Sequence, residues 1–351
     1  MEVNISPRQL TDFDLKLACD NRCKSLSLIQ LNQPINHQSG FTLIELMIAL
    51  ALGLLIVAAG LAVFLTSQRS LGLQAGMGEL QQNANFGLSL VTYDVRHANL
   101  NTASSQKVNN AAIGSGIVFK KENLPLALQS ISNLETEFTT LQNKDTDNTS
   151  GTSDRLTIQY VPATNTIFNC EGAEVTNASS RVIVQRYYLA KSPQQMSGEP
   201  TAYSLYCDAG SYTNGGSDTT ITGLNVGAQQ IMQRVDAFKV RFGVKNSVGN
   251  LRYMTIDQYS AAMDPLLKAA VCSDKTAKNC TDTFLNIVSV EIGILSRSTG
   301  SIGSEAALNT QTTFNVSGAA VTLTGDTALN KRYLRQTVSQ IVAIRNTLGG
   351  L

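Results

Sequence analysis

The most unusual ionisable side chain in this sequence is a single carboxylate inside an apolar run. Residues 41–65 read FTLIELMIALALGLLIVAAGLAVFL, 25 residues in which Glu45 is the only ionisable side chain. A carboxylate inside lipid costs roughly 2.5 kcal/mol or more, so it normally has a partner or a function. Two interpretations are open. Either Glu45 lies at the headgroup boundary and reaches water, or it pairs with a positive group that another subunit brings into the membrane.

Residues suited to catalysis or metal binding are few. The sequence has two histidines, His37 and His97, and it lacks HExxH, P-loop and Gly-x-Ser-x-Gly motifs. His97 is more simply a helix-end residue than a base. Asp145 and Asp147 raise the question of calcium, but their loop is shorter than an EF-hand loop and lacks its closing Glu. We therefore expect no enzymatic activity, no cofactor and no metal site.

The composition limits the class of protein. The 351 residues include 27 Lys and Arg against 26 Asp and Glu, a net charge of +1, and charged residues make up 15%. In soluble proteins, charged residues make up about a quarter of the chain on average. Because the basic residues are dispersed, nothing predicts a nucleic-acid partner. A hydrophobic content of 43% is enough for a core, which excludes disorder throughout. The composition as a whole also does not suit a polytopic membrane protein or a disulfide-dense miniprotein.

The apolar run predicts a transmembrane helix over residues 41–65. At about 1.5 Å per residue it can cross a hydrocarbon core about 30 Å thick, and it is longer than the apolar region of a signal peptide. The helical pattern continues beyond it, and we expect an amphipathic continuation over 66–100. Its apolar stripe consists of Leu73, Met77, Leu80, Ala84, Leu88, Val91 and Val95.

The residues SGFTLIEL at 39–46 resemble the processing site of type IV prepilins. The resemblance implies that a prepilin peptidase cuts between Gly40 and Phe41 and that Phe41 is then N-methylated. Residues 1–40 would be the leader, and Glu45 would compensate the N-terminal amine of a neighbouring subunit in a low-dielectric bundle. The family's leaders are usually short and basic, whereas residues 1–40 are net neutral. Either this leader is long or translation starts downstream of Met1.

The segment 90–99, LVTYDVRHAN, resembles the end of the stem helix in PilW-type minor pilins and their J-type pseudopilin relatives. Asn99 stands where Gly is usual, and Asn also tolerates the left-handed cap conformation. Asp94 and Arg96 are two residues apart and do not face each other on a helix, so we expect their partners in the head. Segments 153–160, 235–244 and 333–346 resemble the first head strand, the central strand and the C-terminal strand of the same family.

Residues 101–351 are predicted to form a β-rich globular head. Apolar and polar residues alternate in six candidate strands, as they do in half-buried antiparallel strands. These strands are 154–161, 181–189, 202–207, 235–244, 251–255 and 286–297. Loops are expected at 144–153 and 209–220, with a helix over 257–271 that Pro265 breaks or caps. The fold class is α+β and pilin-like: a long N-terminal helix, half transmembrane and half amphipathic, packs on a C-terminal antiparallel sheet.

Four cysteines follow the apolar run: Cys170, Cys207, Cys272 and Cys280. A periplasmic head would be oxidised, and four cysteines allow three pairings. We favour Cys170–Cys207, which joins strand flanks, and Cys272–Cys280, which closes a small loop. A zinc site is the weaker alternative, because CxxC spacing is absent.

The resemblance implies a PilW-like minor pilin of a Gram-negative type IV pilus, held in the inner membrane by one span with its head in the periplasm. It would form a priming or tip complex with other minor pilins, on which the major pilin assembles. Further expected partners are the prepilin peptidase and methyltransferase, the inner-membrane assembly platform and the lipid bilayer. The alternatives are a J-type minor pseudopilin of a type II secretion system and, in another class, a single-pass membrane-anchored enzyme or sensor.

Overall fold

The computed structural model describes residues 40–104, 107–143, 153–269, 280, 282–303, 309–344 and 347. The chain divides into two compact units, residues 1–60 and residues 61–351. The predicted leader before Gly40, the acidic pair Asp145 and Asp147, Cys272 and the motif end at 345–346 lie outside the described residues.

Helix α1 spans Leu43–Val95, and its first part is strongly apolar. Among the described helices it is the one long and apolar enough to cross a membrane, and none of its most apolar window is buried. Its apolar side chains therefore find no cover in the chain's own described residues. The transmembrane segment predicted at 41–65 falls largely within α1 and stays a prediction.

The second half of α1 packs on the head through the predicted stripe. Leu80, Ala84, Leu88, Val91 and Val95 are buried, whereas the earlier stripe residue Met77 is 55% exposed. The helix ends at Val95, short of the predicted residue 100. The turn that follows contains Asn99 with a φ of 68°, the left-handed conformation that the sequence predicts.

The described residues of the head form two four-stranded antiparallel sheets and two hairpins. The first sheet has the strand order β1–β4–β5–β6, and the second has the order β12–β9–β7–β8. Strands β2 and β3 form one hairpin, and β10 and β11 form the other. The strands are β1 Leu156–Tyr160, β2 Thr166–Phe168, β3 Glu174–Thr176, β4 Arg181–Lys191, β5 Tyr203–Thr213, β6 Gln229–Gln233, β7 Val235–Lys245, β8 Leu251–Thr255, β9 Asn286–Ser301, β10 Thr313–Val316, β11 Ala319–Thr322 and β12 Tyr333–Ala343.

Three further helices are described in the head: α2 Leu134–Glu137, α3 Ile256–Lys268 and α4 Thr327–Asn330. Thr255 caps α3, since its hydroxyl accepts a hydrogen bond from the Gln258 N–H and the Gln258 side chain binds back to the Thr255 N–H. This is a capping box, which satisfies two otherwise free donors. Pro265 lies inside α3 and does not stop it there, contrary to our expectation that it breaks or caps the helix.

One apolar cluster joins the stem to both sheets. It combines Leu88, Val91 and Val95 of α1 with residues of the first sheet such as Leu156, and of the second sheet such as Phe238. A smaller cluster joins the β10–β11 hairpin to the second sheet through Phe314, Val316, Val321, Ala237 and Leu295. Burial of the side chains in the first cluster is the main force that holds stem and head together.

The α+β, pilin-like fold class is confirmed, with two four-stranded sheets in place of the one sheet expected. All six predicted strands are present. The predicted loop at 209–220 is wrong over its first residues, because β5 continues to Thr213 with Ala209 and Tyr212 buried. The short strands β2, β3, β6, β10 and β11 were not predicted, because runs of three to five residues carry little periodicity.

Candidate functional site

The N-terminal site begins with a short extended segment before the stem helix. Gly40, Phe41 and Thr42 precede α1, and the Phe41 side chain is 91% exposed. A Cβ at Gly40 would meet no heavy atom within 4 Å. The predicted cleavage position is therefore an open, non-helical stretch of chain, which is the form that a peptidase cleft accepts.

Thr42 and Glu45 form a reciprocal capping box at the start of α1. The Thr42 N–H donates to Glu45 Oε2 at 2.9 Å, and the Thr42 hydroxyl donates to the same oxygen at 3.0 Å. In return, the Glu45 N–H donates to Thr42 Oγ1 at 3.3 Å. Because all the Glu45 side-chain bonds in the described structure use Oε2, the second carboxylate oxygen, Oε1, accepts none there.

The sequence-based prediction placed Glu45 either at the headgroup boundary or in an intersubunit charge pair, and it missed this contact. The signal was present, since Thr42-Leu43-Ile44-Glu45 has the Thr-x-x-Glu spacing of a capping box before an apolar run. The structure thus gives Glu45 a partner in its own chain. The carboxylate also lies at the positive end of the helix dipole, where a negative charge is stabilised.

At its other end, the stem is fixed to the head by a buried hydrogen bond. The Tyr187 hydroxyl of β4 donates to Asp94 Oδ2 at 2.6 Å. Burial raises the pKa of Asp94, while the bond from Tyr187 and the nearby His97 act in the opposite direction. The predicted head partner of Asp94 is therefore found, whereas the neighbouring Arg96 is exposed.

Asn99 shapes the turn after the stem with both its backbone and its side chain. Its N–H donates to the Gln159 carbonyl at 3.0 Å. Its Oδ1 accepts from the Gly116 N–H at 2.7 Å and from the Ser104 hydroxyl at 2.6 Å. A glycine, usual at this position in the family, would supply the backbone conformation but not these side-chain bonds.

A buried cluster of charges joins three strands of the second sheet. Arg335 Nε of β12 contacts Asp236 Oδ2 of β7 at 2.6 Å, and Arg297 Nη1 of β9 contacts Asp236 Oδ1 at 3.3 Å. Arg234 Nη2 lies 3.2 Å from Glu199 Oε1 in the loop before β5. The adjoining cavity of about 230 Å³ is lined by Asp236 and Arg297. These two charges are paired with each other, so the cluster ties the three strands together.

Cysteine pairing follows the prediction where the structure describes it. Cys170 and Cys207 form a disulfide, with Cα atoms 6.1 Å apart, that ties the segment after β2 to the buried middle of β5. Cys280 is also disulfide-bonded. Its predicted partner, Cys272, lies outside the described residues, so that pairing stays a prediction.

The described residues offer little for catalysis. Over those residues, no group of three or more His, Cys, Asp or Glu side chains is placed to hold a metal ion. His97 is engaged locally, since its Nδ1 lies 3.0 Å from the Tyr93 carbonyl and its ring packs against Tyr93 and Tyr160. This arrangement agrees with a helix-end residue and does not suggest a base.

Comparison with known proteins adds two family matches. Residues 186–346 match the family model described as type IV pilus-assembly protein W, and residues 35–61 match the prokaryotic N-terminal methylation motif. Among solved structures, a type IV-like pilin from Thermus thermophilus is similar at 10% identity and a TM-score of 0.34, over 76% of this chain and 96% of that one. No curated protein matches significantly.

An apolar N-terminal helix that carries a methylation motif and continues into an antiparallel head defines a pilin-like membrane protein. The PilW match extends from β4 through β12 and so includes the whole second sheet. Residues 186–346, slightly under half of the chain, are similar to the PilW family, and together with the methylation motif they support a minor pilin of type IV pilus assembly. The match supports the pilus interpretation over the J-type pseudopilin alternative, and the family is one of structural proteins.

Proposed function

We propose that this minor pilin is a subunit of the complex that starts pilus polymerisation and remains at the pilus tip. The observation that carries the proposal is the exposure of the apolar half of the stem helix in the isolated chain. The same chain carries a head that is similar to the PilW family. Such a surface must be covered by lipid before assembly and by other stems afterwards. The partners of this stem helix are therefore other minor pilins and the major pilin. The inner-membrane assembly platform brings these subunits together.

The maturation that we propose is cleavage between Gly40 and Phe41 followed by N-methylation of Phe41. It is supported by the methylation-motif match and by the exposed, non-helical geometry of this segment. The cut leaves Thr42 and Glu45 in the mature chain, so the capping box survives processing. Helix α1 then starts within two residues of the new amine.

Glu45 has capacity for a second interaction in the assembled pilus. Its Oε2 caps its own helix, and Oε1 accepts no bond within the described structure. A neighbouring subunit's methylated amine would pair with this carboxylate in a low-dielectric surrounding, where an unpaired charge is costly. The same pairing would fix how far one stem slides along another.

The proposed location is an inner-membrane span with a periplasmic head. The Cys170–Cys207 disulfide and the bonded Cys280 support an oxidising compartment for the head. The span over 41–65 is supported by the length and composition of α1.

Counting filaments in the producing bacterium tests the priming role. Deletion of the gene should lower the number of pili per cell and leave the length of the remaining pili unchanged, because initiation and elongation are separate steps. Antibody against the head should label filament ends. An unchanged number of pili, or label along the whole shaft, would contradict the proposal.

The N-terminus of the membrane-extracted protein tests maturation separately. We expect the first residue to be Phe41 with one methyl group on its amine, as read by mass spectrometry of the N-terminal peptide. An intact Gly40–Phe41 bond would rule out the prepilin route and would favour a permanent single-pass anchor.

A further inference from the structure

Strand β12 is the outer strand of the second sheet and differs from the other edge strands. It is 11 residues long, and residues 336–343 read QTVSQIVA, without charge, proline or glycine. The opposite edge, β8, has five residues and includes Arg252. In the first sheet the edge strand β6 also has five residues, and its register with β5 shifts.

One side of β12 has unused backbone hydrogen-bonding groups. Its inner side pairs with β9 in continuous register from Arg335 to Ala343. On its outer side no described strand pairs with it, and residues 336–343 make no other backbone hydrogen bond with described residues. Proteins normally protect such an edge with charge, proline, a bulge or short length, because it can otherwise pair with another chain.

The side chains of β12 would add to both faces of an extended sheet. Thr337, Ser339 and Ile341 are exposed on one face, with Ile341 at 56%. Val338, on the other face, is half-buried and packs against the main apolar cluster. An incoming strand with uncharged residues would continue both layers, whereas a charged strand would meet no opposite charge along residues 336–343.

The edge is held in place at both ends before any partner arrives. At the start, Arg335 contacts Asp236 and donates to the Asn330 carbonyl at 2.6 Å. At the end, the Ile344 N–H donates to the Val288 carbonyl at 2.9 Å. A strand that is already ordered loses little entropy on binding, which favours addition of a partner strand.

We propose that the outer edge of β12, residues 336–343, binds an uncharged extended strand of a different pilus subunit, which joins the sheet by β-augmentation. The inference rests on the proposed function, because it identifies where the head meets its assembly partner. A second copy could match the length of β12 only with its own β12. That contact is isologous, closes after two subunits and leaves no edge for growth.

Site-specific photo-crosslinking in the full-length protein, in its native membrane, tests the partner. A benzophenone amino acid replaces Ile341, and the control carries it at Val248, which is 81% exposed in the turn between β7 and β8. We expect an adduct at position 341 that mass spectrometry identifies as another prepilin-type subunit, and no such adduct at position 248. An adduct with a second copy or a protein outside the pilus, or no adduct at 341, overturns the proposal.

Two neighbouring proline variants, Ser339→Pro and Gln340→Pro, test the edge itself. Consecutive N–H groups of a strand point to opposite edges, so one proline removes an outward donor and the other removes a bond to β9. Thermal unfolding identifies the tolerated variant. In it, crosslinking from position 341 should fall at least tenfold, the factor that corresponds to about 1.4 kcal/mol. If the crosslinking yield in that variant does not fall, the inference is overturned. If both variants unfold, the adduct from position 341 in the protein without proline substitutions decides the matter.

The count of pili separates the priming function from the docking site. If deletion of the whole chain leaves the number of pili unchanged, the priming function fails. If deletion lowers that number but the tolerated proline variant restores it to the wild-type level, the priming function stands and the β12 edge is not its docking site.

Discussion

Thr42 and Glu45 bind each other reciprocally at the first turn of the stem helix, with three hydrogen bonds between 2.9 and 3.3 Å. The carboxylate proposed to meet a neighbouring subunit's amine therefore already stabilises its own helix. Loss of Glu45 would remove both interactions at once, so a single alanine substitution cannot tell them apart.

Three variants separate helix capping from charge pairing. Glu45→Gln keeps a side chain that can close the capping box but removes the charge. Thr42→Ala removes the cap, at a cost of about 1 kcal/mol, and keeps the charge. If charge pairing drives assembly, Glu45→Gln should lower incorporation into pili as strongly as Glu45→Ala, whereas Thr42→Ala should have a small effect.

The measurement is the amount of this protein in sheared pili relative to the membrane, by immunoblot. Processing at Gly40–Phe41 is the control, and we expect it to be complete in all three variants. Normal incorporation of Glu45→Gln together with poor incorporation of Thr42→Ala would show that the cap matters and the charge does not.

Asp94 should make the stability of the protein depend on pH. Burial raises its pKa above the ordinary value of 3.8, so the folded state holds the proton more tightly than the unfolded chain. Stability from Asp94 is thus present at low pH and is lost as pH rises through the raised pKa. The difference in unfolding free energy, wild type minus Asp94→Asn, should fall as pH rises from about 4 upward through the raised pKa.

Urea unfolding of the detergent-solubilised chain at several pH values measures this difference. Tyr187→Phe is the matched control, since it removes the hydrogen bond that opposes the raised pKa and should therefore steepen the pH dependence. Parallel pH profiles for wild type and Asp94→Asn would show that this carboxylate does not titrate differently on folding.

The Cys170–Cys207 disulfide should contribute substantially to head stability. The two residues are 37 positions apart, and closing a loop of that length constrains the unfolded chain by about 3–4 kcal/mol in the chain-entropy model. We expect the Cys170→Ala/Cys207→Ala double variant to lose about that much unfolding free energy, measured by urea denaturation. A loss below about 1 kcal/mol would show that the bond is not a main source of stability.

Alanine substitutions at two stem glycines should change the stability of the protein in opposite directions. A Cβ at Gly87 would overlap the Met232 side chain, with Met232 Cβ at 3.0 Å, so Gly87→Ala should destabilise by about 1–3 kcal/mol. A Cβ at Gly78 would meet no heavy atom within 4 Å, and Gly78→Ala should stabilise the helix by up to about 1 kcal/mol. Thermal unfolding compares the two. Equal shifts would mean that Gly87 is not a close contact between stem and head.

Local patterns in the sequence determined the stem. The apolar run, the prepilin-like motif and the stripe from Leu80 to Val95 are all readable within a few helical turns, because helical period depends on neighbours in sequence. The six strands with clear alternation were predicted for the same reason. The Thr42–Glu45 capping box is equally local, since its Thr-x-x-Glu spacing lies within one helical turn.

Only the tertiary structure decided which segments meet. Asp94 contacts Tyr187, which is 93 residues away in sequence, and Asp236 contacts Arg335, which is 99 residues away. No local spacing in the sequence encodes these contacts. By resemblance, residues 333–346 were predicted to form the C-terminal strand of the head. The sequence did not show that this strand, β12, lies at a sheet edge. Strand order depends on which distant segments bury the most apolar surface together, and this is a property of the whole folded chain.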